Sequence, residues 1–320
     1  MPRVAAIDCG TNSIRLLVAD APDGAAGGLT DVLRRMEVVR LGQGVDRTGR
    51  LAPEALERTR VTLAEYTDQL TALGAERVRM VATSATRDAA NADEFRAMVR
   101  ATLGTDPEVV SGAEEAGLSF TGAVRGLAFP GPFLVLDIGG GSTEFVVGTA
   151  GPATPSTVDG AAGMSVAAAI SMDIGCVRMT ERHLHSDPPT VTEILAATAD
   201  IEAAVEHALR TVSGRDAATV VGLAGSVTTV AAIALDLSEY RPDVIHHSVL
   251  TLEQVQRVTA DLLAMTRAQR LALPVMHPGR ADVIGAGALI LRVILEQAGA
   301  GSVVVSEHDI LDGIAASIAG

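Results

Sequence analysis

With 320 residues, 48% of them hydrophobic, the chain can bury a sizeable core and has the length of about two domains. A net charge of −14 excludes a surface that attracts nucleic acid over its whole extent, and two cysteines are too few for a disulfide framework, which suits a reducing, cytoplasmic setting. Apolar runs are short and broken by charges, and the N-terminal MPRVAAIDCG lacks a charged region followed by a long apolar one, so neither a membrane span nor a signal peptide is expected.

The chain opens on VAAIDCGTNSIRLLV (residues 4–18), two apolar runs around a polar turn, which predicts a hairpin. Residues 33–41 read as a strand and GQGVDRTGRL (42–51) as turn-rich. Pro53 suits the first turn of a helix that runs to about Leu73, where Gly74 ends it. A strand over 77–81 leads into ATSATRDAAN, followed by a helix over 92–103, a strand over 108–110 and a helix that begins in SGAEEAGLSFTGAV. FLVLDIGGGSTEFVVG (133–148) is a second hairpin. After it come an Ala/Ser/Met-rich segment, the loop HSDPP, a helix from 192 to about 212, a strand over 218–223 entering AGSVTT, and a helix to 235. Strands alternating with helices predict an α/β fold, and the hairpins make its sheets mixed.

The two hairpins align without a gap: Asp8 on Asp137, Gly10 on Gly139, Ser13 on Ser142. Such duplication suggests two related halves facing a central cleft. Three adjacent glycines inside an apolar run cost packing and backbone entropy, so they call for a positive reason. One reason is close approach to an anion. Amides of Gly10, Thr11, Asn12 and Ser13, and of Gly139, Gly140, Gly141, Ser142 and Thr143, can converge on phosphate, with hydroxyls of Thr11, Ser13, Ser142 and Thr143 as further donors. The alternative is a pair of ordinary hairpin turns.

Asp8, Asp137 and Glu144 flank these turns, and carboxylates beside a phosphate call for a cation between them. Mg²⁺, or another divalent ion such as Mn²⁺, takes carboxylate and phosphate oxygens together; any of the three acids could instead hydrogen-bond its own turn. Ser111 and Glu114 have the spacing of a capping box, which leaves Glu115 without a structural task. It could act as a general base, or merely complement the helix dipole. All 25 basic residues are arginine, a side chain suited to bidentate phosphate contacts, although compositional bias explains the same count. The first 130 residues carry 15 arginines against 18 acids, so a local cationic lining is easier there than in the acidic remainder.

Taken together, AAIDCGTNSIRLLV, LGQGVDRTGRL, ATSATRDAANADEF, VVSGAEEAGLSFTGA, LVLDIGGGSTEFVVG, MDIGCVRMTER, VVGLAGSVTTVAAI and SEHDILDGI span nearly the whole chain. In this order they resemble the exopolyphosphatase and guanosine pentaphosphate phosphatase family of the actin, sugar kinase and heat-shock ATPase superfamily. The resemblance implies two ribonuclease-H-like (actin-like ATPase) domains, residues 1–130 and 131–305, with a C-terminal helix at about 306–320 packing back on the first. It implies hydrolysis of a terminal phosphoanhydride of inorganic polyphosphate with Mg²⁺. Glu115 falls on the catalytic glutamate, Asp137 and Glu144 on the carboxylates of metal and water, and Arg87 on a phosphate contact. Gly225 and Ser226 resemble a third phosphate or nucleoside loop, though a strand-to-helix turn without a ligand reads equally. A homodimer is implied as well. The chain lacks the helical extensions of many relatives, which favours short polyphosphate chains. Guanosine pentaphosphate is the alternative substrate, and a noncatalytic sensor of either compound the alternative to an enzyme.

Three further sets of residues remain without an assigned role. His183, His185, His246, His247, His277 and His308 have no metal-ligand spacing and read as surface or satisfied core residues. Arg267 and Arg280 either line the cleft or are solvated. Cys9 reads as a buried small residue, with reactivity the less favoured role.

Overall fold

Alternate side chains of the first strand serve two different cores, which is why a segment with no polar residue between Arg3 and Asp8 sits in the middle of a sheet. The computed structural model describes residues 2–21, 28–150 and 164–319. Its chain divides into two units, one built on Met1–Arg125 and Ile310–Gly320, the other on Gly126–Thr149 and Val166–Asp309.

The first unit runs β1 (Arg3–Cys9), β2 (Ser13–Asp20), β3 (Thr30–Val38), α1 (Val45–Thr48), α2 (Pro53–Leu73), β4 (Arg77–Ala82), α3 (Ser84–Asp88), α4 (Ala92–Leu103), β5 (Glu108–Val109) and α5 (Gly112–Val124). Its sheet has the order β3-β2-β1-β4-β5, antiparallel on the hairpin side and parallel from β1 through β4 to β5. Ala5, Ile7 and Cys9 of β1 face the layer of α2 and α4, where Leu63, Tyr66, Phe95 and Val99 are buried. Apolar residues of α2 recur at helical spacing (Ala55, Leu63, Tyr66, Leu70), and Gly74 ends the helix at φ 69° with its N–H on Leu70 and Thr71 carbonyls. β3 ends at Val38, short of the 33–41 read from the sequence. The N–H groups of Val39, Arg40 and Gly42 turn instead to the carbonyls of Asn12 and Thr11. The turn-rich stretch after it contains the single helical turn α1.

The second unit runs β6 (Phe133–Ile138), β7 (Thr143–Ala150), β8 (Met164–Met172), α6 (Cys176–His183), α7 (Val191–Thr211), a 3-10 turn (Gly214–Asp216), β9 (Thr219–Leu223), α8 (Ala224–Ala234), α9 (Pro242–Ile245), β10 (Val249–Thr251), α10 (Leu252–Ala264), α11 (Arg267–Leu271), α12 (Ile284–Ala298) and β11 (Ser302–Val305). Its sheet has the order β10-β11-β9-β6-β7-β8, again mixed. The Ala/Ser/Met-rich segment supplies strand β8, and residues 151–163 lie outside the described residues. α12 is buried almost all round, from Ile284 to Leu295, and forms the centre of the core with α7, α8 and α10. α7 starts on a full capping box, in which the Thr190 N–H and neighbouring donors hold the Glu193 carboxyl down to about 2. AGSVTT is not a loop. It is the first turn and a half of α8, reached through Ala224 at φ 66°.

The chain ends with α13 (Ile310–Ser317), which belongs to the first unit. Ile310, Leu311, Ile314 and Ala315 pack on Val4, Ala6, Leu17 and Ala19, the face of the sheet opposite α2. Helices α13 and α5 approach so closely that a Cβ at Gly313 would fall on the Leu118 carbonyl. Asp312 pairs with Arg34 at 2.6 Å, and Arg79 and Arg77 donate to Ser317 Oγ and the Ile318 carbonyl. No helix among the described residues is long and apolar enough to cross a membrane.

Three of the histidines meet in the second unit. His246 stacks on His247 at 3.7 Å between ring centroids and lies 4.5 Å from His308. The Glu307 N–H donates to His246 Nδ1. His247 has a left-handed backbone, φ 63°, and among the described residues its buried Nε2 has no hydrogen-bond partner. Burial, and then the neighbouring His308, lower its pKa. As pH falls, the unfolded chain therefore takes up this proton first. Stability is complete above about pH 6.5 and declines below it until the lower folded pKa is passed. Thermal denaturation across pH 5–8 should show a midpoint that drops by a few degrees on acidification, and His247→Asn should flatten that slope; an unchanged slope would contradict the assignment.

Candidate active site

Both hairpin turns have the same skeleton. In the first unit the Gly10 N–H donates to the Ser13 carbonyl at 3.0 Å, and in the second the Gly139 N–H donates to the Ser142 carbonyl at 3.0 Å. Both lie at the carboxyl ends of strands. In the first unit α3 follows β4 and α5 follows β5, so Arg87 and Glu115 emerge at the same end of the parallel ladder as the Gly10 turn. In the second unit α8 follows β9, beside the Gly139 turn that follows β6. Ligands of open α/β sheets bind at strand ends of this kind.

Each turn is also held from behind. The Asn12 carbonyl accepts from Val39 and Arg40, and the Thr11 carbonyl from Gly42 at 2.8 Å. In the second unit the start of α6 does this work. Cys176 N–H donates to the Gly139 carbonyl at 2.9 Å, Val177 and Arg178 N–H to Gly140 at 2.8 and 3.1 Å, and Arg178 Nε to Gly141 at 2.7 Å. A Cβ at Gly42 would meet the Thr11 side chain, and one at Gly175 would fall on the Gly140 carbonyl group. Gly42, Gly175 and Arg178 stand inside conspicuous sequence stretches, but nothing local in those stretches marks them as partners of a turn some thirty residues away.

The acids beside the two turns differ. Asp8 sits opposite Arg15 in the β1–β2 ladder and its Oδ2 accepts from Arg15 Nη2 at 2.6 Å. At the equivalent place Asp137 sits opposite Glu144, and both are buried. Side chains directly opposite on antiparallel strands share a face about 5 Å apart, so two buried carboxylates there favour a shared cation. Glu144 Oε1 also accepts from Ser171 Oγ at 2.6 Å. Among the described residues no three His, Cys, Asp or Glu side chains are grouped to hold a metal on protein ligands alone. A pair of carboxylates fits Mg²⁺ nonetheless, because that ion binds through one or two carboxylates and takes its remaining oxygens from water and phosphate.

Glu115 is 6% exposed and lies in the first turn of α5, where its Oε2 accepts from Arg87 Nη1 at 2.9 Å. The same Arg87 nitrogen donates to the Val110 carbonyl at 3.0 Å. The two predicted residues are thus brought together as an ion pair. Ser111 caps the helix by accepting from the Glu114 N–H, but the box expected there is only half made: the Glu114 carboxylate turns away to Arg79 at 3.0 Å. Arg79 wins because it supplies a full charge, stronger than a neutral N–H.

The remaining predicted residues are used in other ways. Thr11 Oγ1 meets Ser84 Oγ at 2.9 Å, and Thr143 donates its hydroxyl to the Ile174 carbonyl at 2.6 Å, so the Thr143 hydroxyl braces the turn. Gly225 seats Arg280, whose guanidinium lies where a Cβ would be and donates to Thr229 Oγ1 at 3.2 Å. Ser226 packs against Gly287 of α12. The Arg267 N–H donates to Asp187 at 2.6 Å. Cys9 is 1% exposed, and burial followed by the charge of Asp8 pushes its thiol far up, which suits a core residue.

Two mixed sheets with matching hairpin turns at their strand ends form an actin-like ATPase fold, and comparison with known proteins agrees. The sequence profile of the Ppx/GppA phosphatase family matches residues 17–319. Exopolyphosphatase 2 of Mycobacterium tuberculosis is 53% identical over the whole chain and 99% of its own length. The guanosine-5'-triphosphate,3'-diphosphate pyrophosphatase of Vibrio atlanticus is 30% identical over 98% of this chain and 59% of its own. The crystal structure of the Aquifex aeolicus Ppx/GppA family member, 32% identical, superposes with a TM-score of 0.80 over 99% of this chain and 97% of that one. The chain belongs to the Ppx/GppA phosphatase family. It is therefore an enzyme, a phosphatase with two mixed sheets, as its motifs and alternating elements imply.

Proposed function

We propose that the protein is an exopolyphosphatase that removes orthophosphate from the end of inorganic polyphosphate, acting on short chains. The observation that carries this reading is the Gly139–Gly141 turn, whose three carbonyls are all occupied from one side, leaving the following amides for a polyanion. Likeness over full length to an exopolyphosphatase of almost the same size supports the choice of substrate.

In this reading the two turns and Arg87 bind phosphate oxygens, with Asp137 and Glu144 as the carboxylates that would hold Mg²⁺. When bound, that ion neutralises phosphate charge. Asp8 has its charge met by Arg15 and would join only if that pair opened. Glu115 orients a water and takes its proton as the water attacks in line, and its burial limits competing solvent. Arg87, paired with Glu115 before substrate arrives, shares its fork with a phosphate oxygen afterwards. Most of the acceleration comes from positioning and charge stabilisation, as in other phosphoryl transfers. Gly225 contributes by seating Arg280, and Ser226 packs beside it against Gly287. A homodimer and a cytoplasmic location complete the proposal.

A second reading, hydrolysis of guanosine pentaphosphate, is favoured by the likeness to the Vibrio enzyme. Orthophosphate release from tripolyphosphate, long polyphosphate and guanosine pentaphosphate, each with Mg²⁺ and with chelator, tests both. Tripolyphosphate is expected to be cleaved fastest and chelator to abolish turnover. Preference for guanosine pentaphosphate would install the second reading, and no release from any of the three would leave a sensor.

A further inference from the structure

Three consecutive glycines have the largest conformational freedom a chain can have, so a cradle built on them needs an external clamp. In a trans peptide unit the C=O and the N–H of the next residue point in opposite directions within one rigid plane. Holding the carbonyls of Gly139, Gly140 and Gly141 from the α6 side therefore aims the amides of Gly140, Gly141 and Ser142 the other way. Two of these carbonyls are held by backbone N–H groups. The third, Gly141, is held by a side chain, Arg178 Nε at 2.7 Å. The Arg178 side chain is only 11% exposed, and its Nη2 lies 3.6 Å from Asp173. In the first unit the corresponding carbonyls, of Thr11 and Asn12, accept from backbone N–H groups of Val39, Arg40 and Gly42.

We propose that Arg178 is a positioning residue, which sets the plane of the Gly141–Ser142 peptide so that the Ser142 amide meets the bound phosphate. The proposal rests on the reading of this turn as a phosphate cradle. A guanidinium is suited to the task because its rigid fork serves the carbonyl and reaches toward Asp173 at once, whereas an ammonium is a single point of charge.

The test compares the full chain with Arg178→Gln and Arg178→Lys. Four quantities are read: amide hydrogen exchange across residues 138–144, affinity for orthophosphate with Mg²⁺ by calorimetry, kcat and KM for tripolyphosphate, and the thermal midpoint. Arg178→Gln is expected to speed exchange in the turn, to weaken orthophosphate binding and raise KM about tenfold with a smaller change in kcat, and to keep the midpoint within a few degrees. Arg178→Lys, which restores a charged donor, is expected to recover part of the affinity, and it carries the comparison if the Gln variant does not fold. Unchanged exchange in the turn would overturn the proposal, and so would a loosened turn with unchanged affinity and KM. If the unaltered protein neither binds orthophosphate nor releases it, the functional reading falls instead; exchange needs no ligand and still decides whether Arg178 holds the turn.

Discussion

Glu115→Gln is expected to lower kcat for tripolyphosphate by about 10²- to 10⁴-fold while KM, fold and thermal midpoint stay close to those of the unaltered protein. The substitution keeps the size of the side chain and an oxygen able to accept from Arg87 at the 2.9 Å now seen, so the ion pair becomes a hydrogen bond and the start of α5 is preserved. What disappears is the capacity to take a proton from water. Orthophosphate release under saturating substrate, with circular dichroism as the control for folding, reads the effect. Turnover within about threefold of the original would remove Glu115 from the chemistry, since a general base contributes far more than that.

Gly175→Ala should be nearly as damaging for a different reason. Gly175 has φ −94° and ψ 163°, a conformation open to any residue, so backbone strain is not at issue. The obstacle is its neighbour: an added Cβ would fall on the Gly140 carbonyl group, backbone on which the turn depends. The overlap can be relieved only by moving α6 away from the turn or the turn out of its plane, and either breaks hydrogen bonds from Cys176 and Val177. A displacement of about 1 Å at a phosphoryl site costs about 10²-fold, so kcat/KM should fall at least that far, with a stability loss of about 1–3 kcal/mol from overpacking. Steady-state kinetics together with a denaturant titration separate the two effects. Full activity would mean that the clamp is dispensable.

The local signals in the sequence and the tertiary arrangement divide the protein between them in a recognisable way. Hydrophobic periodicity, helix punctuation by Pro53 and Gly74, and the duplicated Asp-x-Gly-x-x-Ser order were enough for the alternation of elements, the mixed sheets and the two turns, because these depend on neighbours within about 20 residues. The apolar pattern runs past the true end of β3 because Val39, Arg40 and Gly42 give their N–H groups to a turn some thirty residues earlier, and no local pattern records that. The half-made box at Ser111 failed likewise: Arg79, on another strand, outcompeted the helix entrance for Glu114.

Function followed the same division. Residue identity placed Glu115, Asp137 and Glu144 among the candidates, since carboxylates near glycine turns already suggest phosphate and a divalent cation, and Arg87 entered only through the family resemblance of its stretch. Sequence alone could not distinguish Asp8 from Asp137, because the difference lies in the residue opposite, Arg15 in one ladder and Glu144 in the other. Nor could it assign Gly42, Gly175 and Arg178, whose work is to hold a turn from behind. A side chain's chemistry is written in the sequence, but its partner is chosen by strand register and close approach, and those exist only once the chain has folded.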